Sequence, residues 1–349
     1  MPDFSPKLLA HPEAKSPRAL ERILIAKRRI QSILDRDTAA HQKTLEQKIA
    51  EQGPTPMRVD PHLIGLAIMD LLELNRLAVH NHSATKATSW YANPGTSAAT
   101  VAKRLTQLAP LYASVTGSGF GNLTGDALEL IVYKCLDQVY EVNPRYPFQG
   151  HFRLNEPKVG GRYRKTQPPK NIGRHSTSKE ADFLQFGHSA GPLCIECKNY
   201  REWTYPHHKI IKELIIKATE LHAIPILVAR RIHYSTITNF LEPAGIIAHE
   251  SYFQYFPADQ AGLATKVKDK RSLGFTDVTA SEDPQPRTLT FFNNNLPKIV
   301  DRMSVKWKEN QDALLAYALD EINLAHLYTA IKSPAGGKWL EPDDGDTPE

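Results

Sequence analysis

The stretch "PLCIECKNY", residues 192–200, has the apolar content and β-branched centre of a buried strand, yet it places Glu196 and Lys198 inside it. Side chains alternate faces along a strand. Glu196 and Lys198 therefore project to one side, roughly 7 Å apart along the chain, while Ile195 and Cys197 face the other. An acid and a base on one face of a central strand are costly unless they are paired or hold a cation. The preceding residues supply a partner. "ADFLQFG", 181–187, reads as a second strand, and "HSAGP", 188–192, carries the Gly and Pro of a hairpin loop. Pairing the two strands brings the carboxylates of Asp182 and Glu196 toward one point with Lys198 beside it. Two hard oxygen donors suit Mg²⁺, which typically binds through one or two carboxylates, water and phosphate oxygens.

The flanking pattern makes this strand part of an α/β unit. From Thr124, residues Leu128, Ile131, Val132, Cys135, Leu136 and Val139 follow the spacing of an amphipathic helix. After the hairpin, "HHKIIKELIIKATELHA" (207–223) reads as a helix with Ile210, Ile211, Leu214, Ile215, Ala218 and Leu221 on one face. Lys209, Lys212 and Lys217 lie off that face, where either solvent or phosphate can meet them. "IPILVARR" (224–231) is a buried strand ending in Arg230 and Arg231, and "GIIAHESYFQYF" (245–256) contains another. Helix, two strands, helix, strand is the order of an α/β sandwich around a mixed sheet.

Between the first helix and the hairpin, residues 145–179 carry nine Lys or Arg against one acid, Glu156. Among them are Arg162, Arg164, Lys165, Lys170 and Arg174. Such a stretch is too long for an ordinary connection, and its charge is suited to a polyanionic partner. Over the whole chain 43 basic residues face 38 acidic ones, and the last ten residues hold five acids and no base.

Upstream, residues 17–52 lack internal Gly and Pro and read as one long or two shorter helices, broken by "GPTP" at 53–56. Asp60 followed by Pro61 starts another helix. The short extended pieces "LAVHN" and "TSWYANPG" follow it, and a helix followed by a small hairpin resembles the second half of a winged helix. Another helix spans 97–115, and the glycine-rich "TGSGFGNLTG" (116–125) reads as a flexible joint. These signals divide the chain into a helical, winged-helix-like recognition domain (1–117), an α/β domain (118–280) and a helical extension with an acidic tail (281–349).

With 349 residues and 41% hydrophobic content the chain is globular and long enough for two or three domains. Its longest apolar run is interrupted by Asp70 and Glu73, and no signal-peptide core opens it. Three cysteines make no disulfide framework, which suits a reducing cytoplasm. "CIEC" spells C-x-x-C, but an offset of three in a strand puts Cys194 and Cys197 on opposite faces. They read as small buried hydrophobes.

Asp182 on one strand, then Glu196, Cys197 and Lys198 on the next, resembles the PD-(D/E)XK nuclease superfamily, whose core here would span roughly residues 120–258. Ala181 stands where that family has proline. Glu-x-Lys also occurs at 13–15, 46–48 and 156–158, and only the fourth instance combines an upstream strand Asp with a following helix and strand. The resemblance implies a restriction-endonuclease-like core in which Asp182 and Glu196 bind Mg²⁺, with Mn²⁺ able to substitute. Lys198 would orient the attacking water and stabilise charge at phosphorus, and Glu129, flanking the apolar face of its helix, would add a further acid to the metal. It implies a cytoplasmic DNA endonuclease, acting in restriction or phage defence, with Arg162, Arg164, Lys165, Lys170, Arg174, Lys209, Lys212, Arg230 and Arg231 along the nucleic acid. Cutting both strands implies a homodimer. A junction resolvase, a repair nuclease, a ribonuclease on the same fold and a non-catalytic nucleic-acid-binding module remain alternatives.

Overall fold

A computed structural model of the chain describes residues 4–51, 58–85 and 89–331. The "GPTP" break and the acidic tail lie outside the described residues. The chain forms two compact units, Met1–Ala127 with Phe253–Ser281, and Leu128–Tyr252 with Glu282–Glu349.

In the first unit, Ser16 accepts the Ala19 amide and Pro17 opens the helix Pro17–Asp37. That helix stops at Thr38, which has φ of 70°. Strand Ala39–His41 follows, so the helical run expected over 17–52 is interrupted. Trp90–Ala92 pairs antiparallel with both Ala78–His80 and Ala39–His41, giving a three-stranded sheet. Trp90, Leu105 and Tyr112 share a core with Phe256, Val267, Leu273 and Phe275. Residues 253–280, which the sequence groups with the α/β domain, thus pack with the N-terminal residues. Across the helices, buried Lys27 pairs with Asp70, whose other oxygen accepts the Ser5 amide at 2.7 Å.

The 116–125 stretch is helical where the sequence suggests a loop. Gly117 ends the preceding helix, and α1 (Ser118–Val142) begins at once and runs through three further glycines. Each helix-interior glycine costs up to about 1 kcal/mol relative to alanine, which side-chain packing readily offsets.

The second unit is mixed α/β. Its sheet comprises β1 (Phe148–Gln149), β2 (Phe183–Gln185), β3 (Leu193–Lys198), β4 (Ile224–Ala229) and β5 (Ile247–Glu250), in the order β5-β4-β3-β2-β1. β3, β4 and β5 are parallel, while β2 is antiparallel to β3 and β1 to β2. Helix α2 (Lys209–Glu220) connects β3 to β4 and buries Ile211, Leu214, Ile215 and Ala218 against a core shared with Cys194 and Leu227. Trp307 and Leu314 of α3 (Leu296–Ala318) complete that core.

Two glycines are demanded by close approach. At Gly187, with φ of 86°, an added Cβ would meet the Arg145 carbonyl oxygen at 1.6 Å. At Gly245, with φ of 78°, it would meet the Trp307 amide at 2.2 Å, so α3 packs on bare backbone. The basic 145–179 stretch contributes β1 to the sheet and folds two small hairpins, Phe152–Arg153 with Arg164–Lys165 and Asn171–Ile172 with His175–Ser176. Among the described residues no helix is long and apolar enough to cross a membrane.

Candidate functional site

The β2–β3 register decides what converges. Phe183 faces Ile195 and Leu184 faces Cys194. One step further along this antiparallel register, Asp182 lies opposite Glu196. Asp182 is fixed there by the Cys197 amide, which donates to its Oδ2 at 2.6 Å.

Glu196 is buried, and each of its oxygens is engaged by a lysine. Lys198 Nζ lies 2.8 Å from Oε1, and Lys217 Nζ pairs with Oε2. Lys217 arrives from α2 and is itself only 3% exposed, donating also to the Glu180 carbonyl. The sequence sets Lys217 off the apolar face among solvent-facing lysines; in the fold it reaches back over the sheet to meet the acid. Glu129 of α1 comes in from the opposite side of the strand pair. His151 Nε2 lies 3.0 Å from its Oε2, and Lys165 Nζ 3.8 Å from the same oxygen. His151 is buried, its ring lies against Phe183, and its Nδ1 has no partner among the described residues.

Three carboxyl groups thus crowd one end of the sheet, and their proton affinities diverge. Asp182 is held well above the usual carboxylate range, first by burial and then by the neighbouring Glu196 and Glu129, against the pull of Lys198. Burial also acts to raise Glu129, but the His151 hydrogen bond, with Lys165 and Lys198, holds it below its ordinary value. Burial alone would lower Lys198; the adjacent Glu196 and Asp182 reverse that and raise it, so it stays protonated. A carboxyl pushed up by two like-charged neighbours is a place where a cation would be stabilising. All the donors are hard oxygens, of the kind that Mg²⁺ and Mn²⁺ take, so Asp182, Glu129 and, in exchange for a lysine contact, Glu196 are the residues that could hold such an ion.

The cysteines between these groups are chemically quiet. All three are free and buried. Burial pushes the Cys194 thiol up to about 12, and Cys197 also well above its ordinary value.

The basic candidates divide. Arg162, Arg164 and Arg174 are exposed, with Arg164 3.5 Å from Glu156. Lys165 faces Glu129 and lies over the Phe152 ring, and Lys170 is 3.3 Å from Glu180. Lys209 is open to solvent, whereas Lys212 pairs with Asp320 and lies over Tyr317. Arg230 is no strand-end clamp. At 1% exposure it donates to the carbonyls of Tyr200 and Arg201, anchoring the loop that follows Lys198. Its neighbour Arg231 lies 4.3 Å over the Tyr252 ring. Sequence reasoning missed His151 and the reach of Lys217. The one available signal was their proximity in sequence to acids and basic residues, which is too common to single them out.

No protein-family model matches the chain, and no curated protein does. A solved structure, protein VC1899 from Vibrio cholerae, aligns with 67% of this chain and 53% of its own at 14% identity and a TM-score of 0.24. The chain spans about half the length of that protein.

Proposed function

We propose that the second unit is a divalent-metal-dependent phosphodiesterase acting on nucleic acid, with a PD-(D/E)XK-type core, and that DNA is its substrate. The observation that carries the reading is the placing of Asp182, Glu196 and Lys198 at one end of adjacent strands with Glu129 close enough to act on Asp182, which is destabilised as an anion first by burial and then by Glu196 and Glu129. The sheet order, with an antiparallel β2–β3 hairpin followed by the parallel β3-α2-β4 crossover, suits that core.

When bound, Mg²⁺ would supply Lewis-acid stabilisation of phosphate charge and a more acidic water. The chain's own groups do the rest. Asp182, Glu196 and Glu129 would hold the cation. Lys198, kept charged by the carboxylates, sits at the exposed end of β3, where its Nζ can donate to the attacking water and to a phosphoryl oxygen. His151 and Lys165 fix the Glu129 carboxylate. Lys217 braces Glu196 from the helix side.

Substrate holding is supported by the hairpin beside the site. Arg153 and Arg164 occupy directly facing positions on its two strands. Like charges placed opposite one another are destabilising, and a phosphate between them would reverse that. A non-catalytic nucleic-acid-binding module is the second reading, favoured by one observation: both Glu196 oxygens are already engaged by lysines.

The test is incubation of purified protein with supercoiled plasmid and short RNA, in Mg²⁺ or EDTA, beside Asp182→Ala. Mg²⁺-dependent nicking or linearisation that vanishes in the variant supports the nuclease on DNA. Cleavage confined to RNA reassigns the substrate. Binding without cleavage of either transfers the case to the second reading.

A further inference from the structure

The first unit holds a cavity that its own packing leaves unfilled. Side chains alternate along the strand Trp90–Ala92, and Trp90 and Ala92 enter the aromatic core shared with Tyr112 and Phe256. Tyr91 therefore points the other way, where it lines a cavity of about 320 Å³ together with residues of the helix Pro61–Glu73. Gly65, Ile68, Met69 and Leu72 face that cavity at positions i, i+3, i+4 and i+7, so a single helical stripe forms its apolar wall.

Glycine inside a helix is less favourable than alanine. Close packing is one reason for a glycine there and function is another. At Gly65 packing is not the reason, since an added Cβ would meet nothing within 4 Å. What the missing side chain leaves is room at the head of the stripe.

The polar part of the lining indicates what that room takes. Tyr91 is only 7% exposed, and its hydroxyl has no hydrogen-bond partner among the described residues. Burial, with Glu46 nearby, raises its pKa, so it stays a phenol that can both donate and accept. Gln42 gives its amide nitrogen to Glu46 Oε1 at 2.9 Å, and its carbonyl oxygen is left as an acceptor. The charged residues of the lining are Lys7 and Glu73, both exposed and paired with each other at 2.9 Å. Their charges cancel, and a charged guest would lose its water without gaining a counter-ion.

We infer that this cavity is a binding site for a small uncharged molecule built on an aromatic or heteroaromatic ring with a hydrogen-bonding edge. The ring lies on Ile68, Met69 and Leu72, where the Met69 thioether favours aromatic contact. Its polar edge meets the Tyr91 hydroxyl and the Gln42 amide. A few polar groups on an apolar wall, at a volume of some hundreds of Å³, are the make-up of small-ligand sites in general. The site belongs to the first unit and goes beyond the nuclease reading of the second, on which it does not depend.

The experiment is saturation-transfer difference NMR on the full chain, titrated with benzamide and indole as uncharged probes and with benzoate and benzylamine as their charged counterparts. Wild type is compared with Gly65→Leu and Tyr91→Phe, each checked by thermal melting. Benzamide and indole should bind wild type, with the charged probes at least about tenfold weaker. Gly65→Leu places a good helix former in the open space, so it should melt no lower than wild type and lose both uncharged probes. Tyr91→Phe keeps the ring, removes the hydroxyl and should weaken benzamide about fivefold; being nearly isosteric, it also serves as the test where Gly65→Leu does not fold. Failure of wild type to bind either uncharged probe overturns the site, as does unchanged affinity in the folded variants. Charged probes that bind as well as the uncharged ones overturn the assignment of an uncharged ligand.

Discussion

Each unit buries a lysine against an acid, and the two arrangements differ in balance. In the first unit, Lys27 pairs with Asp70, and the other Asp70 oxygen accepts the Ser5 amide. Charge and hydrogen bonds close there, and the pair reads as a clasp between helices. In the second unit, Glu196 is met by two lysines, while Asp182 and Glu129 crowd beside it. Asp182 is held well above its ordinary value by burial and by Glu196 and Glu129, despite the pull of Lys198, so a cation there would be stabilising. A buried ion pair that balances locally is explained by structure; a carboxyl held against like-charged neighbours, such as Asp182, is a candidate for function.

The largest effect should come from breaking the balanced pair. Asp70→Ala strands Lys27 in the core and should cost about 3–5 kcal/mol, read from denaturant unfolding. Next, Lys198→Ala should lower cleavage by about 10²–10³-fold while leaving nucleic-acid binding in EDTA largely intact. A variant cutting at near the wild-type rate would remove Lys198 from the chemistry. Lys217→Met should cost about 1–3 kcal/mol, less than Asp70→Ala, because Lys198 still faces Glu196. A cost equal to that of Asp70→Ala would make the two pairs equivalent.

A smaller effect of opposite sign is expected at Asp182. Asp182→Asn keeps an acceptor for the Cys197 amide and removes the cost of holding that carboxyl buried beside Glu196 and Glu129, so it should stabilise the metal-free protein by about 1 kcal/mol at neutral pH. The pH dependence follows from the raised carboxyl. Above the ordinary value of 3.8 the folded protein holds a proton at Asp182 that the unfolded chain has released. Its contribution is therefore present at low pH and is lost as pH rises through the folded value. Asp37 in the first unit behaves oppositely. Burial acts to raise it, but Arg36 and Lys48 outweigh burial and hold it below its ordinary value. Its contribution is present above that value and is lost as pH falls from there through the lower folded value. Unfolding free energies of Asp182→Asn and Asp37→Asn against pH should diverge from wild type in opposite directions. At the small end, Lys209→Ala, a solvent-exposed partner of Glu213, should change stability by no more than about 0.5 kcal/mol.

The parts of this site visible in sequence were those set by local periodicity. Alternation in 192–200, the hairpin loop at 188–192 and the apolar face of 207–223 lead to β2, β3 and α2, and strand parity alone puts Glu196 and Lys198 on one side. Glu129 could be suspected from its place beside an apolar stripe. What stayed hidden was non-local. The inward reach of Lys217 depends on the distance between α2 and the sheet, since a long aliphatic stem lets a residue off the apolar stripe still bury its charge. Arg230, at a strand end, looked available to phosphate but is consumed by carbonyls of a loop that no pattern positions. Likewise, nothing local in residues 253–280 indicates that Phe256 and Phe275 belong to the core of Trp90 and Tyr112.

The most direct test of a cation site at Asp182 is thermal melting of wild type and Asp182→Asn in EDTA and in increasing Mg²⁺. A cation site at Asp182 and its neighbours requires wild type to melt higher as Mg²⁺ is added, since a ligand that binds the folded state stabilises it. Asp182→Asn should begin above wild type in EDTA and respond little. A wild-type melting temperature indifferent to Mg²⁺, or an equal response in both proteins, would contradict a cation site there.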